Sequence, residues 1–400
     1  MEDQGLRTKD QGLKTNDQGP RTKHQGLRDL AADIYTCNRT RCGFCREECP
    51  VYRLEGYETY SCRGKMLVAR GLLEGTLQPS QALADLLAAC ALCGYCQARC
   101  ALQNVAVIEA LRAEMAAAGY VIPATQASVE SLRTQGSIYG QVPEVSRRGT
   151  TPLYLGCLYR TKPQELHTAL SVLERLGFDP LIAPEACCGY LAEATGFPAD
   201  FAIAQARFRE VYEPYLEQEI LTLCPTCTIT LRERYGLRVK HALVAVAERL
   251  ADPAVAARLD RSVLAGRRAT YHDPCHLGRM LGVMEEPRAV LRALGIELVE
   301  MPQNRYFSAC CGGGGGLTQA HPKLSVEIGK NRVREAYATG AETIITACPT
   351  CQPTLLKAAS RVANEIDVFL DVLDLWELLS QALEPGDERP MTKDEASPQS

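Results

Sequence analysis

Ten cysteines in the second half of the chain are set out twice in one pattern. The first set is Cys157, the pair Cys187-Cys188 followed by Gly189, and Cys224-Pro-Thr-Cys227. The second is Cys275, the pair Cys310-Cys311 followed by Gly312, and Cys348-Pro-Thr-Cys351. Intervening residues number 29 and 35 in the first set and 34 and 36 in the second. A repeated five-point spacing marks an internal duplication with a ligand role. Five thiolates exceed the four of a closed tetrahedral zinc site. Iron–sulfur chemistry, in which several irons share the thiolates, accommodates five.

Eight further cysteines lie upstream: Cys37, Cys42, Cys45 and Cys49, then Cys90, Cys93, Cys96 and Cys100. The later four have the spacing C-x2-C-x2-C-x3-C of the bacterial two-cluster ferredoxins, in which the fourth cysteine serves the other cluster. Cys90, Cys93 and Cys96 are therefore expected to share one [4Fe–4S] cluster with Cys49, and Cys37, Cys42 and Cys45 the other with Cys100. Four residues separate Cys37 from Cys42, and Arg39 stands where the first cysteine of such a run usually lies. A pair of zinc knuckles is the minority alternative. Cys62 is left over and reads as a packed thiol, not a ligand. Arg63, Lys65 and Arg70 read either as a docking face for an acidic partner or, more commonly, as a solvated helix face.

The two Cys-Pro-Thr-Cys elements fall at expected helix starts, where the backbone N–H groups and the dipole favour thiolate. Two copies with three partner cysteines each argue against thioredoxin-like redox pairs. Gly312 to Gly316 lacks the Lys-Ser/Thr ending of a phosphate loop, and reads as a loop whose backbone approaches cluster sulfurs and donates N–H bonds to them. His276 follows Cys275 directly and is the candidate catalytic residue, a proton donor to a substrate sulfur, with loop-holding as the equal alternative. No Gly-x-Gly-x-x-Gly follows an expected strand, so a flavin or nicotinamide, if used, belongs to a partner.

The elements that must position these thiols follow from periodicity. With 400 residues, 46% hydrophobic and 23% charged, the chain has the composition of an ordinary globular protein with two or three domains. A net charge of -4 argues against a nucleic-acid binder. No uninterrupted apolar run long enough to span a bilayer is present; Leu83 to Cys100 and Val368 to Leu383 read as amphipathic helices. With 19 cysteines and no recognisable signal peptide, a reducing, cytoplasmic compartment is expected, with docking to the inner face of a membrane as a further option. Residues 1–29 repeat a seven-residue unit whose glycines prevent a coiled-coil seam and read as a disordered tail. Residues 30–120 read as an α-helical two-cluster ferredoxin domain and 121–150 as a linker. Residues 151–262 and 263–383 read as two pseudo-symmetric α/β cysteine-rich domains, and 384–400 as a second disordered tail. In each α/β unit, strands at 151–155, 181–183 and 219–223, or 269–272, 296–300 and 343–347, alternate with helices, implying parallel sheets. The cysteines then fall beyond the carboxyl ends of the strands, where open α/β sheets place ligands.

In this order the motifs resemble the D-type subunit of heterodisulfide reductase, a fusion of a ferredoxin-like C part with a cysteine-rich B part. The resemblance runs from about Cys37 to Leu379. It is carried by Cys-Gly-Phe-Cys-Arg-Glu-Glu-Cys-Pro-Val-Tyr at 42–52, Arg63-Gly64, His-Asp-Pro-Cys-His-Leu-Gly-Arg at 272–279, and Arg-Tyr-Phe-Ser-Ala-Cys-Cys-Gly-Gly-Gly-Gly-Gly at 305–316. It implies a noncubane [4Fe–4S] cluster on each five-cysteine set, besides the two ferredoxin-type clusters, and cleavage of a disulfide between them in one-electron steps. It implies a redox partner protein: a flavoprotein, a hydrogenase or a membrane cytochrome b/quinone module. The expected substrate is a disulfide or thiol. The alternative is an electron-transfer subunit of a flavin-dependent glycolate, lactate or glycerol-3-phosphate dehydrogenase feeding quinone. Ala101, where relatives have Pro after the last cysteine, and Cys62, where they have Pro or Ala, depart from the family pattern.

Overall fold

The computed structural model describes residues 24–383; most of the amino-terminal repeat and the tail from 384 lie outside the described residues. Within the stretch expected as tail, Gln25–Asp29 is a short helix with Leu27 buried in the first core. The amino-terminal unit packs the helices Ala31–Thr40, Cys62–Leu73, Gln81–Ala88 and Asn104–Ala117 around Ile34, Met66, Leu72, Leu87, Leu111 and Met115. Ser61 and Ser80 start two of these helices by accepting the backbone N–H groups of Gly64 and Leu83 at 3.1 and 3.3 Å, caps worth about 1 kcal/mol each.

The amphipathic helix expected over Leu83 to Cys100 ends at Ala88. The cysteine run needs turns, and Leu92 and Gly94 adopt left-handed backbone, with φ of 49° and 67°. The stretch 121–150, expected as a linker, carries the helix Pro123–Gln135. Its Val129 and Leu132 are buried against Cys157, Cys187, Ala192 and Ala204 of the first cysteine-rich unit.

Each cysteine-rich unit has a four-stranded, all-parallel sheet. The first, in order β2-β1-β3-β4, comprises β1 (Thr151–Tyr154), β2 (Pro180–Leu181), β3 (Ile220–Thr222) and β4 (Val239–His241). The second, in order β6-β5-β7-β8, comprises β5 (Arg268–Tyr271), β6 (Glu297–Leu298), β7 (Thr343–Thr346) and β8 (Asp371–Asp374). The central β7 is buried along its whole length, the mark of a strand covered on both faces. The outer strands β4 and β8 were not expected. The helix foreseen over Val368 to Leu383 divides into β8 and the helix Leu375–Ala382, with the Asp374 carboxylate accepting the Trp376 N–H at 3.1 Å at the junction.

The two sheets share one core. Helix Pro163–Arg175 of the first unit packs on Leu375–Ala382 of the second, and Ala242–Leu250 packs on Glu285–Ala293. Leu166, Leu170, Leu173, Val246, Val290, Leu291, Leu375 and Leu379 fill the space between them. The i, i+3/i+4, i+7 spacing of Leu166, Leu170 and Leu173 forms the inward stripe. Fully burying each such side chain contributes about 1.5–3 kcal/mol, and the shared core fixes the two sets of strand ends relative to each other.

Candidate metal centres

In each sheet the chain leaves the central pair of strands in opposite directions, so a crevice opens at their carboxyl ends. Cys157 and Cys224 follow β1 and β3; Cys275 and Cys348 follow β5 and β7. Cys187-Cys188 and Cys310-Cys311 lie in the loops after β2 and β6 and reach the same crevices. All ten thiols belong to buried residues except that of Cys275, which is half-buried.

In the first set, Cys157 Sγ lies 3.4 Å from Cys187 Sγ. Thiol contacts continue from Cys187 to Cys188, from Cys188 to Cys227 and from Cys227 to Cys224. Gly156 makes this closeness possible: its φ is +83°, and a Cβ there would stand 3.0 Å from Cys227 Sγ. Sequence reasoning missed Glu185. Its buried carboxylate accepts the N–H groups of Leu155 and Gly156, each at 2.8 Å, and so fixes the turn into Cys157. Burial pushes the Glu185 carboxyl up to about 7, against the pull of those two N–H bonds. A buried glutamate two residues before a Cys-Cys pair was the available signal.

In the second set, Cys311 Sγ is 3.3 Å from Cys351 Sγ, with Cys310 and Cys348 in contact with that pair. Cys275 faces Cys311 and Cys348 without touching them; burial pushes its thiol up, and the Cys93, Cys311 and Cys348 thiols add to this. The glycine loop donates to sulfur as its sequence suggested: Gly312 N–H to Cys310 Sγ at 3.2 Å and Gly313 N–H to Cys311 Sγ at 3.3 Å. Cys351 N–H reaches Cys348 Sγ at 3.4 Å. The motif 272–279 resolves into distinct tasks. Asp273 is held by a bidentate bond from the buried Arg288 guanidinium at 2.7 and 2.9 Å, and accepts Arg305 N–H at 2.7 Å. Arg279 donates to Tyr306 O at 2.9 Å and to Cys93 O at 2.7 Å, its guanidinium 4.7 Å from the Tyr95 ring centre.

His276, the candidate catalytic residue, is buried at the seam between the units. Its Nδ1 lies 2.9 Å from Thr226 Oγ1, inside the first Cys-Pro-Thr-Cys, and its ring meets Tyr190 edge-on at 5.2 Å. Burial lowers its pKa to about 4, so the ring is neutral at neutral pH and its demonstrable contact is the bridge to Thr226.

In the amino-terminal unit, Cys37 faces Cys45, Cys100 and Cys42, the grouping expected for it, and its thiol is pushed up to about 11 by burial and those neighbours. Cys37 sits on the helix Ala31–Thr40 and Cys42 follows the left-handed Arg41, φ 51°, which accommodates the long spacing. Cys49 neighbours Cys90 and Cys93 as expected, and burial pushes it up to about 12. Cys96 contacts Cys62, which also contacts Cys45; the spare thiol is buried between the two sets. Cys93 contacts Cys310, and that contact lowers its thiol to about 6.

Of Arg63, Lys65 and Arg70, read more commonly as a solvated helix face than as a docking face, Lys65 departs from both readings. Arg63 pairs with Glu58 at 3.1 Å and Arg70 with Glu74 at 2.9 Å, while Lys65 is 1% exposed. The Lys65 ammonium donates to Tyr60 O and faces Cys49 and Cys90. Among the described residues no carboxylate pairs with it. A buried cation whose neighbours are thiols fits a site whose counter-charge is a thiolate-bound cluster, and the crowding of five buried thiols at each sheet crevice fits the same chemistry.

Comparison with known proteins agrees with this donor set. The 4Fe-4S dicluster domain model matches residues 33–104, and the cysteine-rich domain model matches twice, over 152–232 and 269–355. The chain thus joins a 4Fe-4S dicluster domain to two cysteine-rich domains, and its relatives include subunits of iron–sulfur oxidoreductases. It is similar over 383 residues, at 28% identity, to the D-type component of dihydromethanophenazine:CoB–CoM heterodisulfide reductase from Methanosarcina barkeri, covering 86% of this chain and 93% of that protein. It is 32% identical to the B-type component of fumarate reductase (CoM/CoB) from Methanothermobacter marburgensis over 57% of this chain and 45% of that one. It is 28% identical to EtfAB:quinone oxidoreductase of Syntrophomonas wolfei over 61% of this chain and 36% of that one. No helix among the described residues is long and apolar enough to cross a membrane.

Proposed function

We propose that the chain takes electrons from a redox partner protein at two [4Fe–4S] clusters in its amino-terminal unit. It passes them to clusters on the two five-cysteine sets, which reduce a disulfide. Cys37, Cys42, Cys45 and Cys100 would hold one ferredoxin-type cluster, and Cys49, Cys90, Cys93 and Cys96 the other. Cys157, Cys187, Cys188, Cys224 and Cys227, and Cys275, Cys310, Cys311, Cys348 and Cys351, would hold the two noncubane clusters. When bound, the clusters supply one-electron transfer at sulfur; the net reaction takes two electrons and two protons to convert one disulfide into two thiols.

The observation that carries this reading is one cavity of about 130 Å3 lined from both sides. All five cysteines of the first set border it, and Gly313 to Gly316 and Thr350 face them from the second. A cluster on those five thiols would occupy the cysteine-lined side, and a substrate would meet it from the side of Gly313 to Gly316. Tyr139, Thr226 and Gln319 supply polar groups to orient the substrate, beside the apolar side chains of Ile138, Leu158 and Leu191. The Cys93–Cys310 contact supports electron delivery into the second set. The test is reduction of small-molecule disulfides by the anaerobically purified full chain, with a low-potential dye as electron donor. Thiol release is the expected result. The resemblance to EtfAB:quinone oxidoreductase favours a second reading, electron transfer without a substrate of its own. Full cluster loading with no thiol release from any disulfide, and activity restored by a flavoprotein partner, would decide for that reading.

A further inference from the structure

The two sets share their cysteines but differ at the residue three positions before the first of them: Tyr154 in one and His272 in the other. The Tyr154 hydroxyl is engaged by a backbone carbonyl, donating to Ala186 O at 2.7 Å. His272 is different. It is 1% exposed, and its ring lies with Cys311 and Cys351 in a group whose nitrogen and sulfur atoms all fall within 4.8 Å of one another.

The tautomer follows from its other neighbour. Arg332 donates its Nε–H to His272 Nδ1 at 3.1 Å. Arg332 is itself buried and held by Gln303 O at 2.8 Å, Glu335 Oε2 at 2.7 Å and Ser308 Oγ at 3.2 Å. A guanidinium is always protonated and has no acceptor. Nδ1 must therefore present its lone pair to Arg332, which leaves the ring proton on Nε2. That Nε2 is buried and has no hydrogen-bond partner among the described residues, while the Cys311 and Cys351 sulfurs lie within 4.8 Å of the ring's nitrogen. A buried N–H without a partner destabilises the folded chain. The remaining acceptors at hand are the cysteine sulfurs.

We propose that His272 is a positioning residue for the second centre: its Nε2–H donates to the Cys311 sulfur and raises that centre's reduction potential above that of the first. The same protonation excludes Nε2 as a metal ligand, because a ligating nitrogen needs the lone pair that the proton occupies. N–H bonds to cluster sulfurs are a main determinant of cluster potential. Gly313 N–H already donates to Cys311, so the imidazole adds a bond that the first set lacks. Because Cys93 meets Cys310 in the same set, the centre made easier to reduce is the one beside the ferredoxin-type thiols. This inference rests on the cluster assignment proposed above.

The test is a redox titration, followed by electron paramagnetic resonance, of the anaerobically purified full chain and two variants. His272→Phe keeps the ring volume and removes the N–H; His272→Gln keeps an N–H donor. With iron content equal to wild type, His272→Phe is expected to lower the reduced-to-oxidised ratio of one centre about tenfold at fixed potential, a shift of about 59 mV for a one-electron step. His272→Gln is expected to stay within about threefold of wild type. In wild-type protein exchanged into D2O, pulsed resonance at that centre should show a deuteron that His272→Phe lacks. An unchanged potential in His272→Phe, or no deuteron in the wild type, overturns the proposal. So does loss of iron from both variants, which would make His272 a ligand. A wild-type chain lacking iron at the second set would refute the cluster assignment instead, and the iron count distinguishes the two failures.

Discussion

Arg112 joins three parts of the molecule through backbone carbonyls alone. It is 5% exposed, on the helix Asn104–Ala117. Its guanidinium donates to Leu87 O at 3.2 and 2.9 Å and to Cys90 O at 2.6 Å in the amino-terminal unit. It also donates to Ala194 O in the first cysteine-rich unit and to Gly315 O in the second, each at 2.7 Å. Arg112→Leu would leave four carbonyls without this donor. Each bond to a charged group contributes about 1.5–3 kcal/mol net. Burying the guanidinium costs several kcal/mol, which the substitution recovers. The balance is a loss of about 3–5 kcal/mol, or roughly 10 °C in the unfolding midpoint. Arg112→Lys, a point charge with three donors instead of a fork, should fall between. Because Cys90 O and Gly315 O are tied to the same group, delivery of electrons from the amino-terminal unit to the second cysteine-rich set should slow as well. Differential scanning and freeze-quench resonance after rapid reduction measure the two effects. A midpoint within 1–2 °C of wild type together with an unchanged delivery rate would refute the claim that Arg112 fixes this seam.

Gly156→Ala should cost about 1–3 kcal/mol in strain at φ +83° and press its Cβ toward Cys227 Sγ, lowering iron at the first set alone; iron per chain after anaerobic purification checks it. Cys62→Ala should keep the wild-type iron content if the thiol only packs between Cys45 and Cys96, and loss of iron would make it a ligand. Burial raises the Asp374 carboxyl from 3.8 to about 7. A folded-state value above the unfolded one means that the stability it contributes is complete below about pH 4 and is lost as pH rises through about 7. The loss is about 4 kcal/mol at most. Asp374→Asn, which retains an oxygen for the Trp376 N–H, should be flatter than wild type in thermal midpoint between pH 5 and pH 8.

The alternation of strands and helices and the crevice position of the cysteines were legible because both follow from local periodicity and the rule for open parallel sheets. Thr151–Tyr154, Arg268–Tyr271 and Thr343–Thr346 fall within a residue of their expected places. What was not legible depends on contacts distant in sequence. β4 and β8 are short edge strands with mixed burial, ordered by pairing to β3 and β7. The helix Pro123–Gln135 looked like a linker because its surface is polar, yet Val129 and Leu132 dock on a unit that begins after it. Lys65 read as solvated because no local pattern reports burial of a charge beside Cys49 and Cys90. Arg112 acts on backbone groups distant in sequence, which leave no mark in the side-chain sequence, and Glu185 leaves only its place two residues before the Cys-Cys pair. Likewise, nothing in the motif His-Asp-Pro-Cys-His distinguishes His276, which turns to Thr226, from His272, which turns to the sulfurs.

The measurement closest to the central claim is iron, zinc and acid-labile sulfide per chain on anaerobically purified protein, with resonance spectra recorded after thiol addition under oxidising conditions. About sixteen irons, four in each of four clusters, with a thiol-dependent signal from one five-cysteine centre, is the expected result. About eight irons, or stoichiometric zinc, would mean that the paired sets do not hold the clusters assigned to them, and disulfide reduction between them would be contradicted.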